Sequence, residues 1–115
     1  HALEMAVGSG MLLELSLADT PVFGGAIAMY ERGMTTGSNA SNRQMVRSSS
    51  EFTRVLSAAE EELLFDPQTN GGLLFALPES AADALVERLH DAGISAATRL
   101  GSAVEYRQGA HLKIS

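Results

Sequence analysis

Residues 64–75 read Leu-Phe-Asp-Pro-Gln-Thr-Asn-Gly-Gly-Leu-Leu-Phe, a polar turn-forming cluster set directly between two apolar runs. Pro67 fixes its own φ and drives Asp66 out of the helical region, so no helix can run through this point. Asp66 and Asn70 are suited to Asx-type bonds with nearby backbone N–H groups. Gly71 and Gly72 permit positive φ and the close approach of another backbone or a ligand. A plain turn needs one or two such residues; the seven from Asp66 to Gly72 indicate a shaped loop.

The flanking patterns supply the elements. Leu3, Ala6 and Val7 fall at i, i+3 and i+4, and Gly10 is placed to stop that helix in a left-handed cap. Met11, Leu13, Leu15 and Leu17 alternate with Leu12, Glu14, Ser16 and Ala18, which predicts a strand with at least one buried face, ended by Asp19-Thr20-Pro21. A second helix is predicted from about Gly25 to Arg32, closed by Gly33. Residues 34–50 are polar and read as a long loop with one helical turn around Asn42 to Val46. Ser57, with Glu60 three positions on, predicts a capping box heading a helix that runs to Phe65.

After the loop, Leu73-Leu74-Phe75-Ala76-Leu77 predicts a short strand covered on both faces. The clearest helix runs from about Ser80 to Ala92, with Ala81, Leu85, Val86, Leu89 and Ala92 as its apolar stripe and Gly93 as its stop. Two final strands are predicted, about Ala96 to Tyr106 and Ala110 to Ile114, turning at Arg107-Gln108-Gly109. The order predicts one domain over residues 1–115 of the α/β (α+β) class, a mixed β-sheet with packed helices closed by a hairpin.

Charge narrows the function. The formal net charge is −6 and the eight basic residues are scattered, which argues against a nucleic-acid partner. No apolar run approaches the roughly 20 residues of a membrane span, so no membrane partner is expected, and the N-terminal segment reads as an amphipathic helix rather than a signal sequence. There is no cysteine, hence no disulfide, thiolate metal site or cysteine nucleophile in these residues. His1, His90 and His111 stand at no metal-ligand spacing. Glu60, Glu61 and Glu62 read as a solvated helix face. No catalytic or metal-binding residue is assigned.

Two segments remain as candidate sites. Asp66, Gln68, Thr69, Asn70, Gly71 and Gly72 form either a tight structural connection or an anion site, in which N–H groups near the glycines and the Thr69 hydroxyl hold phosphate oxygens. The loop is no Walker A motif, since no Lys follows the glycines and the chain leads into a predicted strand. The second segment, Gly37 to Arg43, is either a flexible surface loop or a second wall of the same cleft, with Asn42 or Arg43 touching ligand. The fork of donors on Arg43 suits phosphate.

Asp-Pro-Gln-Thr-x-Gly-Gly-Leu-Leu resembles the C-terminal motif of the selenophosphate synthetase (selenide, water dikinase) family, with Asn70 where the family usually has Ser. His1-Ala2-Leu3-Glu4-Met5 looks like the start of the family's His-x-Leu-Glu-Met helix, and Gly37 to Arg43 looks like its Gly-rich segment ending in Asn. The resemblance implies the C-terminal domain of a two-domain, cytoplasmic, homodimeric enzyme of the AIR-synthase-like superfamily. Such an enzyme makes selenophosphate, AMP and phosphate from ATP, selenide and water, using magnesium. The reactive Cys or selenocysteine, its Lys and the magnesium-holding aspartates belong to the N-terminal domain, which is the expected partner. This domain is expected to help close the cleft over the ATP phosphates through the Asp66–Gly72 loop. Alone, it is expected to be inactive, to bind no cofactor tightly and to be monomeric or weakly associated. The alternatives are the equivalent domain of another superfamily member, such as aminoimidazole ribonucleotide synthetase or thiamine-monophosphate kinase, or a non-catalytic interaction module.

Overall fold

The alternating apolar run at the start of the chain becomes the centre of a sheet. In a computed structural model that describes residues 1–115, helix α1 (Ala2–Ser9) ends at Gly10, whose φ of 65° is the left-handed cap foreseen for it. Strand β1 (Met11–Leu15) follows at once. The chain continues through α2 (Ala26–Glu31), α3 (Asn39–Val46), a 3-10 turn at Arg47–Ser49, β2 (Ser50–Phe52) and α4 (Ala58–Leu64). It then passes through α5 (Glu79–Asp91), β3 (Gly101–Glu105) and β4 (Leu112–Ile114).

The sheet is mixed and four-stranded, in the order β2-β4-β1-β3. β1 runs antiparallel to β3 and parallel to β4, which in turn is parallel to β2. The α/β class and the mixed sheet with packed helices are therefore as the sequence indicates. Register places Glu14 beside Lys113, and their side chains meet at 3.0 Å across the pair. Ala6 of α1 packs against Leu13 and Leu112, with Ala2, Leu3, Leu15 and Val46 around them. The remaining buried apolar residues are Leu17, Ala59, Phe65 and Ile114. α2 lies against α4. No helix is long and apolar enough to cross a membrane.

Three expectations are corrected. The closing hairpin does not form: β3 and β4 are separated by β1, so the Arg107-Gln108-Gly109 turn connects strands that never pair. Leu73–Leu77 belongs to no strand, and Leu73 is 82% exposed. Every one of the pairing partners in the sheet comes from elsewhere in the chain, so the run has β propensity without a neighbour to bond. Finally, residues 34–50 are far from structureless, since α3 fills 39–46 and Ser50 opens a sheet strand. Polar composition hid that helix because its work is done by hydrogen bonds rather than by an apolar stripe. The late helix keeps its predicted extent, yet none of its residues is buried. Arg99 ties it to the following segment through Glu79 at 3.6 Å and Asp83 at 3.2 Å.

Gly101 is the position where glycine is required. A Cβ there would lie 1.8 Å from the carbonyl oxygen of Glu14 on the adjacent strand. Only a residue with no side chain lets β1 and β3 pair at this register. Gly101→Ala is expected to force the strands apart and lower stability by about 2–3 kcal/mol, read as a shifted denaturation midpoint in urea. Gly72→Ala serves as the control, since nothing lies within 4 Å of a Cβ built there.

Candidate functional site

The loop is positioned by the helix that leads into it. Ser57 heads α4: its Oγ accepts from the Glu60 N–H at 3.2 Å, and Glu60 Oε2 accepts from the Ser57 N–H at 2.8 Å. This is the capping box expected from the spacing. Arg54 adds a bond to Glu60 at 2.8 Å. That contact first, and the Ser57 N–H second, hold the Glu60 carboxyl down to about 2. At the other end, the Phe65 N–H reaches back to Glu62 O and the Asp66 N–H to Leu63 O, tightening the last turn. Pro67 then forbids another turn.

Asp66 holds the loop with both carboxylate oxygens. Oδ1 accepts from Gln68 Nε2 at 2.7 Å, and Oδ2 accepts from the hydroxyl of Tyr30 on α2. Neither Asp66 nor Asn70 takes a backbone N–H through its side chain, so the Asx turns foreseen for them are replaced by side-chain bonds. Burial, then the bond to Asp66, raises the Tyr30 phenol above its ordinary range. Backbone bonds from Gln68 to Asp66 O (3.0 Å) and from Thr69 to Pro67 O (2.8 Å) complete the ordered half of the loop.

The second half is open. The N–H groups of Asn70, Gly71 and Gly72 make no hydrogen bond within the chain, nor does the Thr69 hydroxyl. Gly71 and Gly72 do not use the positive φ that glycine permits. A Cβ at Gly71 would meet only Gln68, at 3.6 Å, and one at Gly72 would meet nothing. Within this chain, then, the two glycines are required by neither conformation nor packing. What they leave is uncovered backbone, the feature that a site for an approaching anion or a second polypeptide surface needs.

Asn42 and Arg43 are brought to the end of α4 from which the loop springs, 23 and 19 residues from their partners Phe65 and Glu62 respectively. Asn42 Nδ2 donates to Phe65 O at 2.9 Å. Arg43 bonds Glu62, lies 3.7 Å from Glu61 and covers the Phe65 ring at 5.1 Å from its centre. Its Nη2 and Nε thus face α4. Glu62 also accepts from Thr35 at 2.9 Å and from Asn39 at 2.7 Å. Arg43 first, then Thr35, holds its carboxyl below the usual range. The acidic run is therefore an anchor rather than a solvated face. Arg43 and Arg47 are spaced i, i+4 and face it, a signal that the sequence did contain.

Tyr30, Asn39 and Glu62 are the residues that sequence reasoning missed. They act from 36 and 23 residues away, with no motif to mark them. Two grooves lie elsewhere on the molecule. One of about 410 Å³ is lined by Leu17, Val22, Ile27, Leu63, Arg54 and Glu60, and one of about 540 Å³ by Arg47, Phe52, Arg54 and Glu61. Neither includes any loop residue, and their arginines are paired with Glu60 and Glu61.

Comparison with known proteins gives one consistent result. The chain is 36% identical over 105 residues to a selenide, water dikinase of Pelobacter propionicus, which covers 91% of the chain and 30% of that protein. It is 39% identical over 92 residues to the selenide, water dikinase of Treponema denticola, covering 80% of the chain and 26% of the relative. With that of Rhizobium meliloti the identity is 37% over 103 residues, 90% of the chain and 30% of the relative. The chain spans about 30% of the length of the curated relatives it matches. No protein-family model matches it.

Glu62 titrates lower in the folded chain than its ordinary 4.5, so its bonds stabilise the fold above that pH and are lost as pH falls through the lowered folded value. Glu62→Gln is expected to lower stability at pH 7 by about 1 kcal/mol. The gap from wild type should close as pH falls below 4.5, in paired thermal melts across pH.

Proposed function

The chain is related to selenide, water dikinases over most of its length, and we propose that it is the C-terminal domain of such an enzyme. In the complete polypeptide it packs on an N-terminal domain that holds ATP and selenide, in a homodimer in the cytoplasm. The enzyme forms selenophosphate, AMP and phosphate from ATP, selenide and water. The Asp66–Gly72 loop helps close the cleft over the ATP phosphates, with the N–H groups of Asn70, Gly71 and Gly72 meeting phosphate oxygens.

The open backbone at Asn70–Gly72 carries this reading. These N–H groups open a run of unbonded donors that continues to Leu77, and only at Gly71 and Gly72 does no side chain stand in front of it, as a phosphate-facing loop requires. Asn42 and Arg43 shape the cleft wall indirectly, by fixing the end of α4 from which the loop springs.

Surface area supports the missing partner. The accessible surface is 7903 Å², whereas a compact monomer of 12.1 kDa has about 6,000 Å². The difference exceeds the roughly 800 Å² that one partner gives to a standard interface. Leu73, Leu74, Phe75 and Leu77 are among the exposed large apolar residues.

The residues here do not fit a magnesium site. Both oxygens of Asp66 are engaged, Glu60, Glu61 and Glu62 are each paired with arginine, and no three metal-ligating side chains converge. Binding the magnesium that accompanies ATP falls to the N-terminal domain.

The complete polypeptide is expected to convert ATP to AMP in the presence of selenide and magnesium, and the 115-residue chain is expected to show no turnover. Gly72→Ala in the complete polypeptide should leave the melting temperature unchanged and raise KM for ATP about tenfold, the equivalent of about 1.4 kcal/mol of lost phosphate contact. AMP release by the chain alone would refute the assignment.

A further inference from the structure

Asp66 anchors the loop, and the residue that holds Asp66 from outside the loop is Tyr30. It sits half-buried near the end of α2, and its hydroxyl on Oδ2 is the only hydrogen bond from α2 to the loop. The other oxygen, Oδ1, is taken by Gln68 from within the loop. The carboxylate is thus gripped from two directions, and the grip lies immediately before the bonded turn of Gln68 and Thr69 and the open N–H groups that follow.

We propose that Tyr30 is a positioning residue for the phosphate-meeting loop: its hydroxyl, acting through Asp66, fixes the turn that presents the N–H groups of Asn70, Gly71 and Gly72. The inference rests on the functional reading of that loop given above. Tyr30 touches no phosphate itself. Tyr30 lies on α2, which packs beside α4, and its hydroxyl bonds the loop, so a single substitution can remove the bond and keep the ring. Tyr30→Phe keeps the ring and removes only the bond to Asp66. A preorganised donor array binds an anion without the cost of ordering it first, so a loosened loop weakens binding more than chemistry.

The test compares wild type with Tyr30→Phe in two settings. In the 115-residue chain, amide hydrogen exchange at Gln68 and Thr69 is expected to quicken about 3–10-fold, as for one lost hydrogen bond, while β1 and β4 keep wild-type rates. In the complete polypeptide, KM for ATP is expected to rise about 3–10-fold with kcat held within about twofold. Unchanged exchange at Gln68 and Thr69 overturns the inference. So does faster exchange with an unchanged KM, because the loop that Tyr30 orders is then not the one that meets the nucleotide. If the wild-type polypeptide turns over no ATP with selenide, the functional reading itself falls. ATP affinity by titration calorimetry then decides Tyr30: the same ratio upholds it and equal affinities overturn it.

Discussion

The docking of α3 on α4 depends on one buried amide. Asn39 is the single polar residue enclosed by the fold, at 1% exposure. A buried carboxamide must have partners for both ends, since an unsatisfied one costs about 1–3 kcal/mol. Its oxygen accepts from Thr36, and its nitrogen donates to both the backbone and the side chain of Glu62. Those bonds fix the register between two helices that share little apolar surface. Asn42 and Arg43 stand three and four residues further along the same helix, so they fall on the same face. Once Asn39 is seated, Asn42 reaches Phe65 O and Arg43 reaches Glu62. The last turn of α4 is thus gripped at three points, and the loop starts from a fixed place.

This polar grip matters because the apolar core is small. Seven hydrophobic residues are buried, and they belong mostly to the sheet and α1. Phe65 and Ala59 are the contribution of the α4 region. Ion pairs at partly exposed positions are individually weak. Arg43, Arg47, Glu61 and Glu62 form a linked set, however, with arginines stacked over Phe65 and Phe52. Stacking covers ring faces that the core leaves bare.

How much was legible follows from how local each signal is. Gly10 ending α1, the Ser57–Glu60 capping box and the extent of α5 are each set within a few residues, and each is found where the sequence put it. Pairing is a property of distant segments. Nothing in Gly101 to Ile114 states that β1 will enter between its two strands, and the turn at Arg107-Gln108-Gly109 misled because turn chemistry is the same whether or not the flanking strands bond. Leu73–Leu77 has the composition of a buried strand, and the chain offers it no cover. The identity of the loop was legible in its residues, whereas its supports were not. Tyr30, Asn39 and Glu62 are ordinary residues whose roles exist only after α2, α3 and α4 have met.

The same network bears on the phosphate site proposed for this chain. Arg43, Arg47 and Arg54 are each paired with an acidic residue of α4. A net charge of −6 supplies no attractive field for a polyphosphate. On the proposed reading, a phosphate group meeting this loop meets backbone N–H groups, which discriminate by geometry. Backbone donors on an acidic domain hold a polyphosphate only where other groups have already neutralised its charge. That requirement separates recognition from charge compensation. On the proposed reading this chain serves the first, and the second comes from outside it.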